Sequence, residues 1–148
     1  MASPASIAKH PLHPMLVPFP IGLWVFSLIC DIIYMTGHDA AWGATALYTM
    51  IGGTVGALLA ALPGFIDYLS LKQRQVKILA TWHLTINLSL VVLFSINILL
   101  RLQNPPGALL PFLLSVVGNL MLLVSGWLGG HLVYVHGLAV EPQPRENQ

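Results

Sequence analysis

Charge is what this chain most lacks. Only 7% of its 148 residues are Asp, Glu, Lys or Arg, while 56% are hydrophobic; a soluble domain carries about a quarter charged residues. The shortage excludes a solvated globular surface, a disordered tail protein and a nucleic-acid-binding face. The net charge is +1, so no strongly charged partner is implied. Cysteine is almost missing too. Cys30 stands alone, inside an apolar run, so it makes no internal disulfide and reads as a buried thiol. Without a thiolate cluster or a Cys-x-x-Cys-His stretch, neither an iron–sulfur cluster nor covalent haem is expected. There is also no nucleophile–base constellation, no phosphate-cradling loop and no protease motif. Catalysis by this chain alone is therefore not expected.

What is present is apolar length, with a mean hydropathy of +0.79. A membrane helix needs about 20 mostly apolar residues. Four stretches qualify: 15–35, 41–62 with a continuation to 71, 78–100 and 108–133. The connections are short, so successive helices are antiparallel neighbours. The expected fold is all-α, an integral membrane up-down-up-down four-helix bundle, with no strand-like alternation. Residues 1–14 form a His-Pro lead-in, 15–138 the membrane domain and 139–148 a solvated tail. The lead-in, polar and proline-rich, does not read as a signal peptide.

Five of the six basic side chains, Lys9, Lys72, Arg74, Lys77 and Arg145, fall on one side, and Arg101 falls on the other. Positive-inside bias then places both termini and the central loop in the cytoplasm. Gly52, Gly56 and Ala60 recur every four residues, as do Gly126 and Gly130. Such ridges allow close helix packing in lipid, or leave room for a flat cofactor.

Six histidines in so apolar a chain form the main functional signal. His10, His13, His83, His131 and His136 share the side of the termini, and only His38 lies opposite. His83 sits inside the third span, about 9 Å below Lys77 at ~1.5 Å per residue, and ionisable groups within spans usually face the bundle interior and mark function. Asp67, at the end of the second span, is a candidate metal ligand or a partner for a ligating imidazole. Asn87, one turn from His83, is a candidate support. In His10-Pro11-Leu12-His13-Pro14 each proline pushes the preceding histidine toward extended backbone, which suits ligands held over the bundle mouth. His131 and His136 face about 140° apart on a continuous helix, and His131 is the better inward candidate. Trp127 and Tyr134 read as interfacial aromatics. Asn97 and Asn119 read as interhelical hydrogen-bond partners. Asp31 lies about 27 Å along the helix from His13, too far to join the cluster; it reads as a helix-end carboxylate or half of a proton path.

These residues carry a resemblance. His10-Pro11-x-His13-Pro14 followed by Val17-Pro18-Phe19-Pro20-Ile21-Gly22, the segment Gly64-x-x-Asp67-Tyr68, His83, and the closing Gly126-Trp127-Leu128-Gly129-Gly130-x-Leu132-Val133-Tyr134 resemble a bacterial family of four-span membrane domains of unknown function. The resemblance covers nearly the whole chain and implies a bacterial inner-membrane location. Similar domains occur joined to Rieske-type or cytochrome c-type modules, which implies electron transfer. At the position of His131 many of them carry an acidic residue, a group that serves a metal readily but haem poorly.

Three functions follow. The first expectation is a b-type cytochrome, with haem b held by His83 and His131, and with His13 or His10 as an alternative ligand. The second is a non-haem transition-metal site (zinc, iron or copper) built from His10, His13, His83, His131 and Asp67. The third is an accessory subunit of a larger membrane complex. The expected partners are the lipid bilayer and a redox protein or complex; the oligomeric state stays open.

Overall fold

The computed structural model describes residues 3–140; most of the expected tail, with Arg145, lies outside them. The chain forms β1 (Ser6–Ile7), β2 (His10–Pro11), α1 (Leu12–Leu16), α2 (Pro18–Gly37), α3 (Ala40–Leu69), α4 (Arg74–Gln103) and α5 (Leu109–Tyr134). Four segments are long and apolar enough to cross a membrane: Leu12–Gly37, Ala40–Leu69, Arg74–Gln103 and Leu109–Tyr134. The all-α four-helix bundle expected from the apolar runs is the observed architecture. Each helix packs on its sequence neighbour, and α5 returns to α2 to close the ring.

The lead-in corrects two expectations. Ser6 pairs with Pro11 and Ile7 with His10 in a small antiparallel hairpin, where no strand was expected; two-residue strands are too short to show alternation. Its turn residues Ala8 and Lys9 both have positive φ, 47° and 66°, as a tight two-residue hairpin turn requires. His13 is also not extended, because α1 starts at Leu12. Pro14 falls in the first turn of that helix, where a backbone N–H would have no partner in any case. Val17, between α1 and α2, is itself helical. Pro18 and Pro20 have no N–H to give, so only the hydrogen-bond ladder is interrupted there and the first span continues through it.

Helix ends run beyond the apolar runs. The α3–α4 connection is Ser70–Gln73, so Arg74 and Lys77 belong to α4 rather than to the loop. Arg101 lies within the last turn of α4. Asp39 caps α3, accepting from Ala41 N at 2.9 Å.

The core is a band of large side chains at mid-bundle: Trp24, Met50, Leu90, Phe94 and Leu122. The rings of Trp24 and Phe94 stack at 4.3 Å and 18°. Glycine makes the stack possible. A Cβ on Gly53 would lie 2.7 Å from Trp24, and one on Gly118 would lie 2.6 Å from Phe94. The small residues singled out in the sequence sit elsewhere. Gly52 and Gly56 contact α2 at ordinary distances, whereas Gly126 has no atom within 4 Å and faces outward. Only 17% to 28% of each span's most apolar window is buried, so the outer faces, with Phe26, Ile32, Leu59, Ile96 and Leu123 exposed, are suited to lipid rather than water.

Candidate functional site

α1 continues into α2 as one span, Leu12–Gly37, and its first turn carries His13 alongside α3 at the end of the bundle where α3 ends and α4 begins. Its ring rests against Gly64 of α3, where a Cβ would lie 2.6 Å from Nδ1. Nδ1 donates to the Ala60 carbonyl at 2.8 Å. A carbonyl only accepts, so Nδ1 carries a proton, and in the neutral ring Nε2 keeps a lone pair. Among the described residues nothing else hydrogen-bonds to this ring.

His83, on α4, rests in the same way against Gly129 of α5, whose Cβ would lie 3.0 Å from Cε1. Nδ1 donates to the Ser125 carbonyl at 3.0 Å. Asn87, one turn along, donates from Nδ2 to Ser125 Oγ and to the His83 carbonyl, both at 2.7 Å, and lies 3.2 Å from His83 Nε2. Both amide hydrogens are thus engaged, and with Nδ1 donating, Nε2 of the neutral ring holds the lone pair. The two imidazoles thus share one tautomer, fixed by backbone carbonyls. Their centroids are 6.3 Å apart and their planes nearly perpendicular, at 88°.

Asp67 does not join them. Its Oδ1 accepts from Ser3 Oγ at 2.6 Å and from Ala5 N at 3.2 Å, and Leu12 N bonds back to the Ala5 carbonyl at 2.9 Å. The buried carboxylate therefore ties down the lead-in and, through it, the start of α1. His10 is exposed and bonds to the Ala8 carbonyl. His131 is exposed as well. It lies two residues past Gly129, about 200° around the helix, so it points away from His83. Its ring instead meets His136, with centroids 5.2 Å apart. Of the sequence candidates, the structure brings together His13 and His83, with Asn87 in support. It leaves His10, His131 and Asp67 apart from them.

The other end of the bundle holds a cluster that the sequence reading passed over. Asp31 of α2 and Arg101 of α4 form a two-pronged ion pair. Nη1 reaches Oδ1 at 2.7 Å and Nη2 meets Oδ2. The side chains are 7% and 11% exposed, so this pair is inside the protein rather than on a loop. Arg101 Nε donates to Asn97 Oδ1 at 3.2 Å and Nη2 to Ser115 Oγ at 3.0 Å. Asn97 Nδ2 in turn reaches the Pro111 carbonyl and Ser115 Oγ. Asp31, expected as a helix-end carboxylate or half of a proton path, instead pairs with Arg101 between spans. A signal was present: His83, Asn87, Leu90, Phe94, Asn97 and Arg101 recur at alternating steps of four and three, which is one helix face.

Residues 9–142 match the model of a family described as predicted membrane protein (DUF2231). The chain belongs to that family of membrane proteins. No curated protein and no solved structure matches it.

Proposed function

We propose that this DUF2231 protein binds a transition-metal centre between His13 and His83 and serves membrane electron transfer. The observation that carries the reading is the matched pair of imidazoles. Metal-bound histidines characteristically donate their second ring nitrogen to a carbonyl or carboxylate, and both rings do so through Nδ1. A metal–nitrogen bond is about 2.0–2.1 Å, so two rings ligating one ion from opposite sides have centroids about 6 Å apart; the observed separation is 6.3 Å. Two imidazoles leave coordination positions open for solvent or for a group from a partner. Among the described residues there is no group of three or more His, Cys, Asp or Glu side chains suited to one ion.

A bare ion fits these residues better than haem b. Gly64 and Gly129 accommodate the imidazoles themselves, not a macrocycle. Of the ions that imidazole favours, copper and iron are the redox-active ones. The resemblance to domains joined to redox modules supports electron transfer with a partner protein at the same face.

Metal analysis beside a visible spectrum of protein purified from its native membrane tests this. The expected result is near-stoichiometric copper or iron without the sharp bands of a low-spin haem, lost in His83→Ala and His13→Ala while the helical content stays. Sharp reduced bands abolished by His83→Ala restore the haem b reading. A colourless, metal-free protein leaves the accessory-subunit reading.

The family is a membrane family; the finer location is our reading of its charges. With Arg101 drawn into the ion pair, the basic side chains left for aqueous loops and tails all lie on the side of the termini, which supports reading that side as the cytoplasmic face of a bacterial inner membrane. Single cysteines at Ser6 and Gln103, in a Cys30→Ala background, test it with an impermeant maleimide on intact spheroplasts. Labelling at 103 and not at 6 is expected; the reverse pattern inverts the topology.

A further inference from the structure

The α4–α5 loop is seated tightly against the bundle. Gly107 has φ +80°, and a Cβ there would lie 2.9 Å from the Tyr34 ring; one on Gly43 would lie 2.9 Å from Pro106 Cβ. Beneath this loop is a cavity of about 170 Å³, lined by Asp31, Met35, Ala44, Arg101, Ala108 and Phe112 among others. Its charged lining residues are Asp31 and Arg101 alone. Each neutralises the other, so the site has no net attraction for an anion or a cation.

Hydrogen-bond capacity remains. A guanidinium has five N–H donors. Four are engaged: Nε by Asn97, one on Nη1 by Asp31, and both on Nη2 by Asp31 and Ser115. The second Nη1 donor has no partner among the described residues, and the carboxylate beside it keeps spare lone pairs. The wall therefore offers one donor next to one acceptor on an otherwise apolar surface. Whole-ligand pockets run to about 300–1,000 Å³, and water takes about 30 Å³. The cavity is thus large enough for one ring but not for a whole lipophilic molecule. Met35 and Ala44 on its lining are exposed, so the rest of such a molecule can lie in the bilayer.

We propose that this cavity binds the head-group ring of a membrane-soluble quinone or quinol. One ring oxygen meets this pair: in the quinone the carbonyl accepts from Arg101 Nη1, in the quinol the hydroxyl at the same position accepts from Nη1 and donates to Asp31, and the apolar tail stays in lipid. The site is independent of any metal at His13 and His83.

Calorimetric titration of the full chain in lipid nanodiscs with decylubiquinone, against empty nanodiscs, tests the proposal. Saturable one-site binding is expected. Ala44→Phe narrows the cavity without touching the ion pair and should weaken binding at least tenfold. Ala108→Leu on another part of the lining gives a second, independent variant with the same expected loss. Uptake no greater than in empty nanodiscs overturns the proposal. So does saturable binding that both variants leave unchanged.

Discussion

At one end of the bundle two imidazoles meet over glycine; at the other a guanidinium and a carboxylate close on each other. Both ends use α4, whose inner face carries His83 and Asn87 near its start and Asn97 and Arg101 near its finish. They differ in what a missing partner would leave behind. Truncating His13 leaves neutral groups that water at the bundle end can satisfy. Truncating Arg101 leaves a buried carboxylate without its counter-ion. The first end tolerates change and has lone pairs to offer. The second is primarily a structural clasp, with one donor to spare. Between them the stacked Trp24 and Phe94 and their neighbours form an apolar layer that keeps the two polar clusters separate.

The largest effect should come from breaking the clasp. Arg101→Ala is expected to destabilise the protein by about 3–5 kcal/mol, because it strands a buried charge. The double variant Asp31→Leu, Arg101→Met should recover much of that loss, since apolar replacement of a buried pair is often near neutral. Denaturant unfolding in detergent micelles measures both. A double variant as unstable as the single one would mean that the network, not the stranded charge, sets the loss.

A smaller effect belongs to the layer between the ends. Gly118→Ala puts a methyl 2.6 Å from Phe94 and should cost about 1–3 kcal/mol through overpacking. Near-ultraviolet circular dichroism should show the disturbed Trp24–Phe94 stack. An unchanged spectrum and midpoint would mean that the ring moves aside freely.

Gly64→Ala sharpens the contrast at the imidazole end. Its methyl would lie 2.6 Å from His13 Nδ1, but α1 is the first turn of its span, at the bundle end, and can yield. We expect a loss of about 1 kcal/mol, with metal affinity reduced by about 10- to 100-fold, the range seen when groups that orient a ligand are altered. Unfolding midpoints with and without added metal separate the two. Equal loss in both conditions would remove the link between Gly64 and metal binding.

The smallest effect is expected at Gly126→Ala, where nothing lies within 4 Å. A change within about 0.5 kcal/mol is predicted, as for an open surface position. A clear loss of stability would reveal a neighbour that covers this face.

The span count and bundle were legible because apolar length is a strong signal that survives errors at the boundaries. The ion pair was missed at just such a boundary. Ending the third span at Leu100 made Arg101 a loop residue, and Asp31 was then left without a partner. His131 points away from His83 for a different reason. It lies near the correct helix end, yet membership of a site depends on the angle around α5. Gly129 and Ser125 face His83, and His131 cannot share their direction. His83 and its support by Asn87 were readable from a one-turn spacing on a single helix. The partner His13 was in view as one candidate among several, but the contact depends on α1 packing along α3 at Gly64, a tertiary fact that no local spacing encodes.

The hydrogen bonds around the imidazoles also imply an order of assembly. His13 leaves the ribosome in the first span, but Ala60 and Gly64 follow in the second and His83 in the third. Ser125 and Gly129, which fix His83, arrive only with the fourth. The pair of rings can take its final geometry only when nearly the whole chain has been synthesised. A chain truncated after residue 107 should insert three spans and bind no metal at His83; recovery of full metal content in that truncation would refute this timing. Such late completion would keep the two rings from meeting before the last helix is in place.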